Sequence, residues 1–361
     1  MVLNFDFDSR LKNLRRKLSD EKLDGILITK IANVAYFSGF RGDSSALLVT
    51  EEKLLFVTDN RYTEQAKQQT RNFEIITHEE GLYKKIIALI RGSAIKNFGF
   101  EGCSLTFDEY DTIKKNLPDV NLKSVELDSL RQIKDSAEIF CVRKACEIAD
   151  KAFNEILNFI KPDISEIEIA ACLENVMRCA GSERPSFETI VASGVRGSLP
   201  HGTASDKKIS SGEFVTMDFG ATFNGYCSDM TRTVFVGKAT DRQREIYNTV
   251  LDAQLHGLDV IKIGVSGRAA DSAVREKLNV AGLGKFFSHA LGHSLGLEIH
   301  EEPRLSRFSK CERLEENMLV TDEPGVYVPN VGGLRIEDTV LVTKNGAETL
   351  TRSPKNLIEI F

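Results

Sequence analysis

Two aspartates, Asp218 and Asp229, lie on either side of an Asn224-Gly225 pair. Asn-Gly is a strong signal for a two-residue hairpin turn, because both residues tolerate the positive φ such turns need. If Phe223 pairs with Tyr226, Gly220 lies opposite Asp229 and Asp218 lies opposite Thr231. The aspartates then share one face as diagonal neighbours, roughly 7 Å apart at the backbone, within reach of shared cations. A lone aspartate pair is more often solvated on an exposed face, and a bulge would spoil the parity. Two like charges placed there need a positive partner.

Three of the six histidines, His289, His293 and His300, fall within one short stretch that ends in His300-Glu301-Glu302-Pro303. The spacing of His289 and His293 matches the pair on a zinc-protease helix. Gly292 and Gly296 oppose a stable helix, however, and Ala290 stands where a base would be needed. An extended strand still puts both imidazoles on one face. His78 and His256 have no such company and read as ordinary core or surface residues.

Further on, Glu323 precedes a Pro324-Gly325 turn and Tyr327, and Gly332-Gly333-Leu334-Arg335-Ile336-Glu337 reads as a strand. Alternation sends Arg335 and Glu337 to one face and Leu334 and Ile336 to the other, where they can pack. Asp218, Asp229, His293, Glu323 and Glu337 together make a coherent donor set for two metal ions. Two cations roughly 3.5 to 4 Å apart lower the pKa of a shared water and stabilise the oxyanion formed when it attacks a carbonyl. Amide hydrolysis is the reaction class this suits.

The elements that must position these residues fall into two blocks. From about residue 9 to 125, short apolar strands such as Gly25-Ile26-Leu27-Ile28, Phe73-Glu74-Ile75-Ile76 and Asn97-Phe98-Gly99-Phe100 alternate with helical patterns, as in an α/β domain. None is followed by a glycine-rich phosphate loop. After a break near Leu130-Lys134, Asp135 with Glu138 predicts a capped long helix, and Ser165 with Glu168 predicts another that stops at Gly181. Helical patterns recur at about 241 to 262 and 267 to 279, so the part from about 135 onward reads as one α+β domain with several antiparallel strands.

At 361 residues, two domains are the default. A formal charge of -6 lacks the basic excess that nucleic-acid binding needs. No apolar run approaches the roughly 18 residues of a membrane span, and the N-terminus from Met1 to Asp6 meets charge before a signal-like stretch could form. Seven scattered cysteines without a Cys-x-x-Cys pair suit a reducing compartment, so a cytoplasmic protein is expected.

The ordered set Asp-x10-Asp, His-x3-His-x6-His, Glu-Pro-Gly-x-Tyr and Arg-x-Glu-Asp resembles the pita-bread metallopeptidases, above all the Xaa-Pro aminopeptidases and proline dipeptidases. The likeness runs from Asn33-Phe40 and Asp59-Tyr62 to the C-terminus. It implies a smaller creatinase-like N-terminal α/β domain over residues 1–130 and a catalytic pita-bread domain over 131–361. Asp218 would chelate one metal, Asp229 and Glu337 would bridge both, and His293 and Glu323 would bind the other, with Glu323 also the general base. His201 would lie on the substrate side, while His289 and His300 would hydrogen-bond the scissile peptide and its tetrahedral intermediate. The cations would be manganese, with cobalt or zinc as alternatives, since four carboxylates and one imidazole make a hard ligand set. A homodimer and small peptides with proline second complete the implication.

Asp322 departs from the pattern, which mostly has an apolar residue there, and its charge is expected to alter metal affinity. The leading reading is an Xaa-Pro aminopeptidase. A dipeptidase is the runner-up, separated by whether the pocket captures a free carboxylate, with Arg335 as the candidate. A metal-free creatinase would leave four carboxylates repelling one another, and a non-catalytic binding module would not need an intact ligand set.

Overall fold

The computed structural model describes residues 4–361, so Met1 to Leu3, which open the N-terminal stretch read above, lie outside the described residues. The chain divides into two compact units, residues 1–131 and 132–361. Among the described residues no helix is long and apolar enough to cross a membrane.

The first unit holds helices α1 (Phe7–Asp20), α2 (Ile31–Ser38), α3 (Thr63–Gln69), α4 (Leu82–Arg91) and α5 (Phe107–Asn116). Its strands are β1 (Gly25–Ile28), β2 (Ser45–Thr50), β3 (Leu54–Asp59), β4 (Glu74–His78), β5 (Asn97–Phe100) and β6 (Asn121–Ser124). They form one sheet in the order β4-β3-β2-β1-β5-β6, parallel at β3/β4, β1/β5 and β5/β6 and antiparallel elsewhere. Leu27, Leu48, Val57, Ile86 and Phe98 knit strands to helices in its core. The buried Glu101 carboxylate accepts the N–H groups of Thr29 (2.7 Å) and Lys30 (2.8 Å), satisfying donors where α2 begins. Asn33 donates to the same carboxylate, which makes that stretch a structural joint of this unit.

The second unit begins with α6 (Ser136–Ile156) and α7 (Glu166–Cys179), each opened by the expected capping box, at Asp135/Glu138 and Ser165/Glu168. Then come β7 (Ile190–Ser193), β8 (Glu213–Phe219), β9 (Thr222–Phe223), β10 (Tyr226–Cys227), β11 (Met230–Val236), α8 (Asp241–Val260) and α9 (Gly267–Val280). The rest is β12 (Gly292–Ser294), β13 (Glu301–Leu305), β14 (Leu319–Asp322), β15 (Gly325–Val328), β16 (Gly332–Arg335), β17 (Asp338–Thr343), β18 (Gly346–Thr349) and β19 (Glu359–Ile360). Pairing is antiparallel throughout, except for β11 with β19. As expected, the first unit is an α/β domain and the second an α+β domain with antiparallel strands.

Two cores organise the unit. Ile148, Phe153, Ile169 and Leu173 of α6 and α7 pack on Val215, Met217, Phe219, Met230 and Val234 of β8 and β11. Val250, Val274 and Leu278 of α8 and α9 pack with Val320, Leu334, Ile336 and Val340. Burying one such side chain contributes about 1.5–3 kcal/mol, and truncating Phe153 to Ala costs about 3–5 kcal/mol.

Candidate active site

Strand alternation puts the chemistry on the face opposite these cores. In β8, Val215, Met217 and Phe219 face the helices, so Asp218 faces the other way. Asp229 lies on the same side, just ahead of β11. The register is the one expected from Asn224-Gly225, which sit at φ +50 and +82. Phe223 pairs with Tyr226 and Asp218 with Thr231, so no residue is gained or lost between them. In the second hairpin, Leu334 and Ile336 enter the core while Arg335 and Glu337 face the site.

One expectation changes in detail. Gly332 to Glu337 is not one strand: β16 ends at Arg335, and β17 begins at Asp338. Between them the Ile336 N–H turns to Pro324 O and the Glu337 N–H to Thr231 O, at 3.3 and 3.1 Å. The register nevertheless continues, since Gly325 faces Arg335 and Asp322 faces Asp338. Glu323 and Glu337 therefore occupy facing positions at the break.

All five expected ligands line one cavity of about 450 Å³, together with His201, His289, His300, Arg304 and Arg335. Asp229, His293 and Glu337 each present a ligand atom, and these atoms lie within 4.8 Å of one another. His293 Nε2 stands 3.5 Å from Asp229 Oδ2 and 3.5 Å from Glu323 Oε1. Its Nδ1 meets the Ser294 carbonyl at 3.0 Å. A carbonyl only accepts, so Nδ1 carries the proton and Nε2 turns its lone pair to the carboxylates, the arrangement of a metal-ligating imidazole. Thr321 joins two ligands, accepting the His293 N–H at 3.0 Å and donating to Glu323 at 3.2 Å. Gly292 permits this approach, because a Cβ there would lie 2.0 Å from the Thr321 carbonyl.

Burial, then repulsion from Glu337, Asp218 and Glu323, pushes the Asp229 carboxyl well above the usual range. Burial and Glu323 do the same to Glu337. Burial, partly offset by Arg335, pushes Glu323 up to about 8. Burial lowers His293 to about 3, so its imidazole is neutral at ordinary pH. Asp218 Oδ1 is buried and has no hydrogen-bond partner. Crowded carboxylates, a neutral imidazole with its lone pair inward and an orphaned carboxylate oxygen are the conditions that divalent cations relieve.

Arg335 is 4% exposed and heavily engaged. Its side chain donates to Asp218 Oδ2 (2.5 Å), Tyr327 OH (2.6 Å), Thr231 Oγ1 (2.9 Å) and Pro200 O (3.3 Å). The expectation that it captures a substrate carboxylate meets a guanidinium already paired with Asp218. Tyr327 in turn meets His289 Nε2 at 2.9 Å, while His289 Nδ1 meets the Ala290 carbonyl at 2.8 Å. Both ring nitrogens of His289 are thus engaged, so a hydrogen bond from it to a scissile peptide requires one partner to be given up. Burial lowers His289 to about 4, and burial raises Tyr327 to about 12.

His289 lies outside β12, and His300 precedes β13, so neither belongs to a helix. The His300 ring stands edge-on to that of His293, with centroids 4.4 Å apart. β14 turns Asp322, with Val320, toward α8, where its carboxylate packs against Gly257. Burial, then the facing Asp338, push its carboxyl well above the usual range, and both its oxygens lie buried without a hydrogen-bond partner behind the site. Sequence reasoning passed over Thr231, Thr321 and the Tyr327 hydroxyl, which read as ordinary strand residues. It also passed over Arg304, whose side chain is 51% exposed and loosely paired with Glu302 at 3.8 Å. The position of Arg304 four residues after His300 was the available signal.

Carboxylates and a neutral imidazole converging at the breaks of two hairpins define the centre of a metal-dependent hydrolase. Residues 141–344 match Metallopeptidase family M24 and residues 10–133 the Creatinase/Prolidase N-terminal domain. The chain is 47% identical to the peptidase YqhT of Bacillus subtilis, over 97% of this chain and 99% of that one. An Xaa-Pro dipeptidase from Bacillus anthracis superposes with a TM-score of 0.95 at 43% identity, covering 98% of this chain and 100% of that one. An X-Pro aminopeptidase from Thermotoga maritima gives 0.90 at 38%, covering 97% and 99%. The chain belongs to metallopeptidase family M24.

Proposed function

We propose that this metallopeptidase hydrolyses the bond between an N-terminal residue and a following proline, with Asp218, Asp229, His293, Glu323 and Glu337 holding two divalent cations. The observation that carries the reading is the facing pair of half-buried Glu323 and buried Glu337, beside Asp229 and the lone pair of His293. The proline preference is supported by the names of the two solved relatives. Manganese is favoured over cobalt or zinc by a set of four carboxylates and one imidazole. A homodimer follows from the resemblance, and a cytoplasmic location from scattered cysteines that suit a reducing compartment.

When bound, the cations acidify the attacking water and polarise the scissile carbonyl. Glu323, 3.7 Å from His289 Nδ1 and 3.5 Å from His293 Nε2, would serve as the general base that receives the proton of the attacking water. Arg335 fixes one oxygen of Asp218 and leaves the other turned to the site. His289 holds Tyr327, and His201 and His300 line the wall where the peptide lies.

A dipeptidase is the second reading, favoured by Arg304. Its half-exposed guanidinium lines the cavity four residues after His300 and suits the carboxylate of a dipeptide. Cleavage of an Xaa-Pro dipeptide, an Xaa-Pro-Yaa tripeptide and an Xaa-Ala dipeptide distinguishes these cases. Turnover of both proline peptides supports an aminopeptidase, and turnover of the dipeptide alone a dipeptidase. Equal cleavage of the alanine peptide overturns the proline preference.

A further inference from the structure

Lys134 is 1% exposed, and nothing in the chemistry above uses it. Its backbone N–H donates to Asn317 O at 3.0 Å, and Ile133 bridges Met318, so it stands beside the chain entering β14. Its ammonium donates to Ser294 Oγ at 3.1 Å and to Glu301 Oε2 at 3.2 Å. Ser294 and Glu301 face each other across β12 and β13, immediately after a register shift between His293 and Ser294. They flank the segment 295–300, whose last residue is His300. Within the loop, Glu301 Oε1 accepts the Glu298 N–H at 3.2 Å, and the Cys227 N–H holds Gly296 O at 2.8 Å.

We infer that Lys134 is a positioning residue, whose ammonium clamps both ends of segment 295–300 and so holds His300 at the cavity wall against His293. A buried ion pair is weak evidence of stability, since desolvation offsets its attraction, yet it fixes geometry because each partner is costly to leave unpaired. Here the partners are far apart in sequence, and the loop they close carries a side chain of the cavity. His293 has separate support from Thr321, whose hydroxyl accepts its N–H and donates to Glu323, so the clamp bears on His300 rather than on the ligand set. The inference rests on the proposed reading that His300 meets the substrate.

A double-mutant cycle tests it. Lys134→Met, His300→Ala and the double variant are compared in kcat/KM on an Xaa-Pro dipeptide, with bound metal measured on each. Lys134→Met is expected to lower kcat/KM about 100-fold, the scale of a 1 Å misplacement at a reacting centre, with metal content unchanged. The double variant is expected to match His300→Ala alone, and Lys134→Arg to recover part of the loss. Glu301→Gln, which keeps the cation but weakens one tie, takes the same cycle if Lys134→Met does not fold. Additive losses, or loss of metal in step with activity, overturn the clamp while leaving the proposed function standing. A His300→Ala variant with full activity removes His300 from that function, and the clamp with it.

Discussion

Glu323 and Glu337 face each other across one continuous antiparallel register, where the ladder of β14 with β17 gives way to that of β15 with β16. Like charges directly opposite are destabilising, and burial removes the water that would screen them. Asp229 lies beside them, and the three carboxyls are all pushed upward.

Without cations, this cluster ties stability to pH. A carboxyl ionises near 4 in the unfolded chain, whereas Glu323 in the folded protein keeps its proton up to about 8. Between those values the folded state binds more protons, so its stability is greatest below about 4 as far as this group goes, and falls as pH rises toward 8. Chelated protein should melt at progressively lower temperature from pH 5 to pH 8. Added Mn(II) should reverse the trend, because it binds the ionised carboxylates. A melting temperature indifferent to Mn(II) at pH 8 contradicts this.

Thr231 donates to Glu337 at 2.5 Å and accepts from Arg335 at 2.9 Å. Thr231→Val keeps the shape and removes both bonds. Metal affinity or kcat/KM should drop about 10–100-fold, as for other outer-layer partners of metal ligands. Calorimetric titration with Mn(II) beside steady-state kinetics checks it, and unchanged values in both argue against the assigned role.

Tyr327→Phe breaks the bridge from Arg335 to His289 while leaving the ring in place. Losing a buried bond to a charged group costs about 1.5–3 kcal/mol, or about 10–100-fold in kcat/KM if it acts on the transition state. Retained metal content with reduced kcat is expected. Reduced metal content with unchanged kcat in the loaded fraction would make Tyr327 a support of the ligands instead.

Arg304→Ala separates the two substrate readings. If Arg304 captures a terminal carboxylate, KM for an Xaa-Pro dipeptide should rise about 10-fold or more, the scale of a charge-assisted hydrogen bond, while KM for the matching C-terminal amide moves little. Equal effects on both remove that role.

Much of this site was legible in the sequence. Asn224-Gly225 set the pairing of Asp218 with Thr231, and alternation separated Arg335 and Glu337 from Leu334 and Ile336. What stayed hidden depended on contacts between distant segments. The facing of Glu323 and Glu337 follows from a three-residue turn, 329–331, whose Pro329-Asn330 signal marks a turn but, unlike Asn-Gly, does not by itself fix the register. The commitment of Arg335 to Asp218 spans the two hairpins, and the upward push on the Asp322 carboxyl comes from its burial against α8. Local pattern reports which face a residue takes, whereas these facts depend on what another segment brings to that face.

The most direct test is activity on an Xaa-Pro dipeptide measured against the number of Mn(II) ions bound per chain, starting from exhaustively chelated protein. The account predicts no turnover in the metal-free state and full turnover at two ions per chain. Full turnover by protein that elemental analysis finds free of transition metals would contradict it.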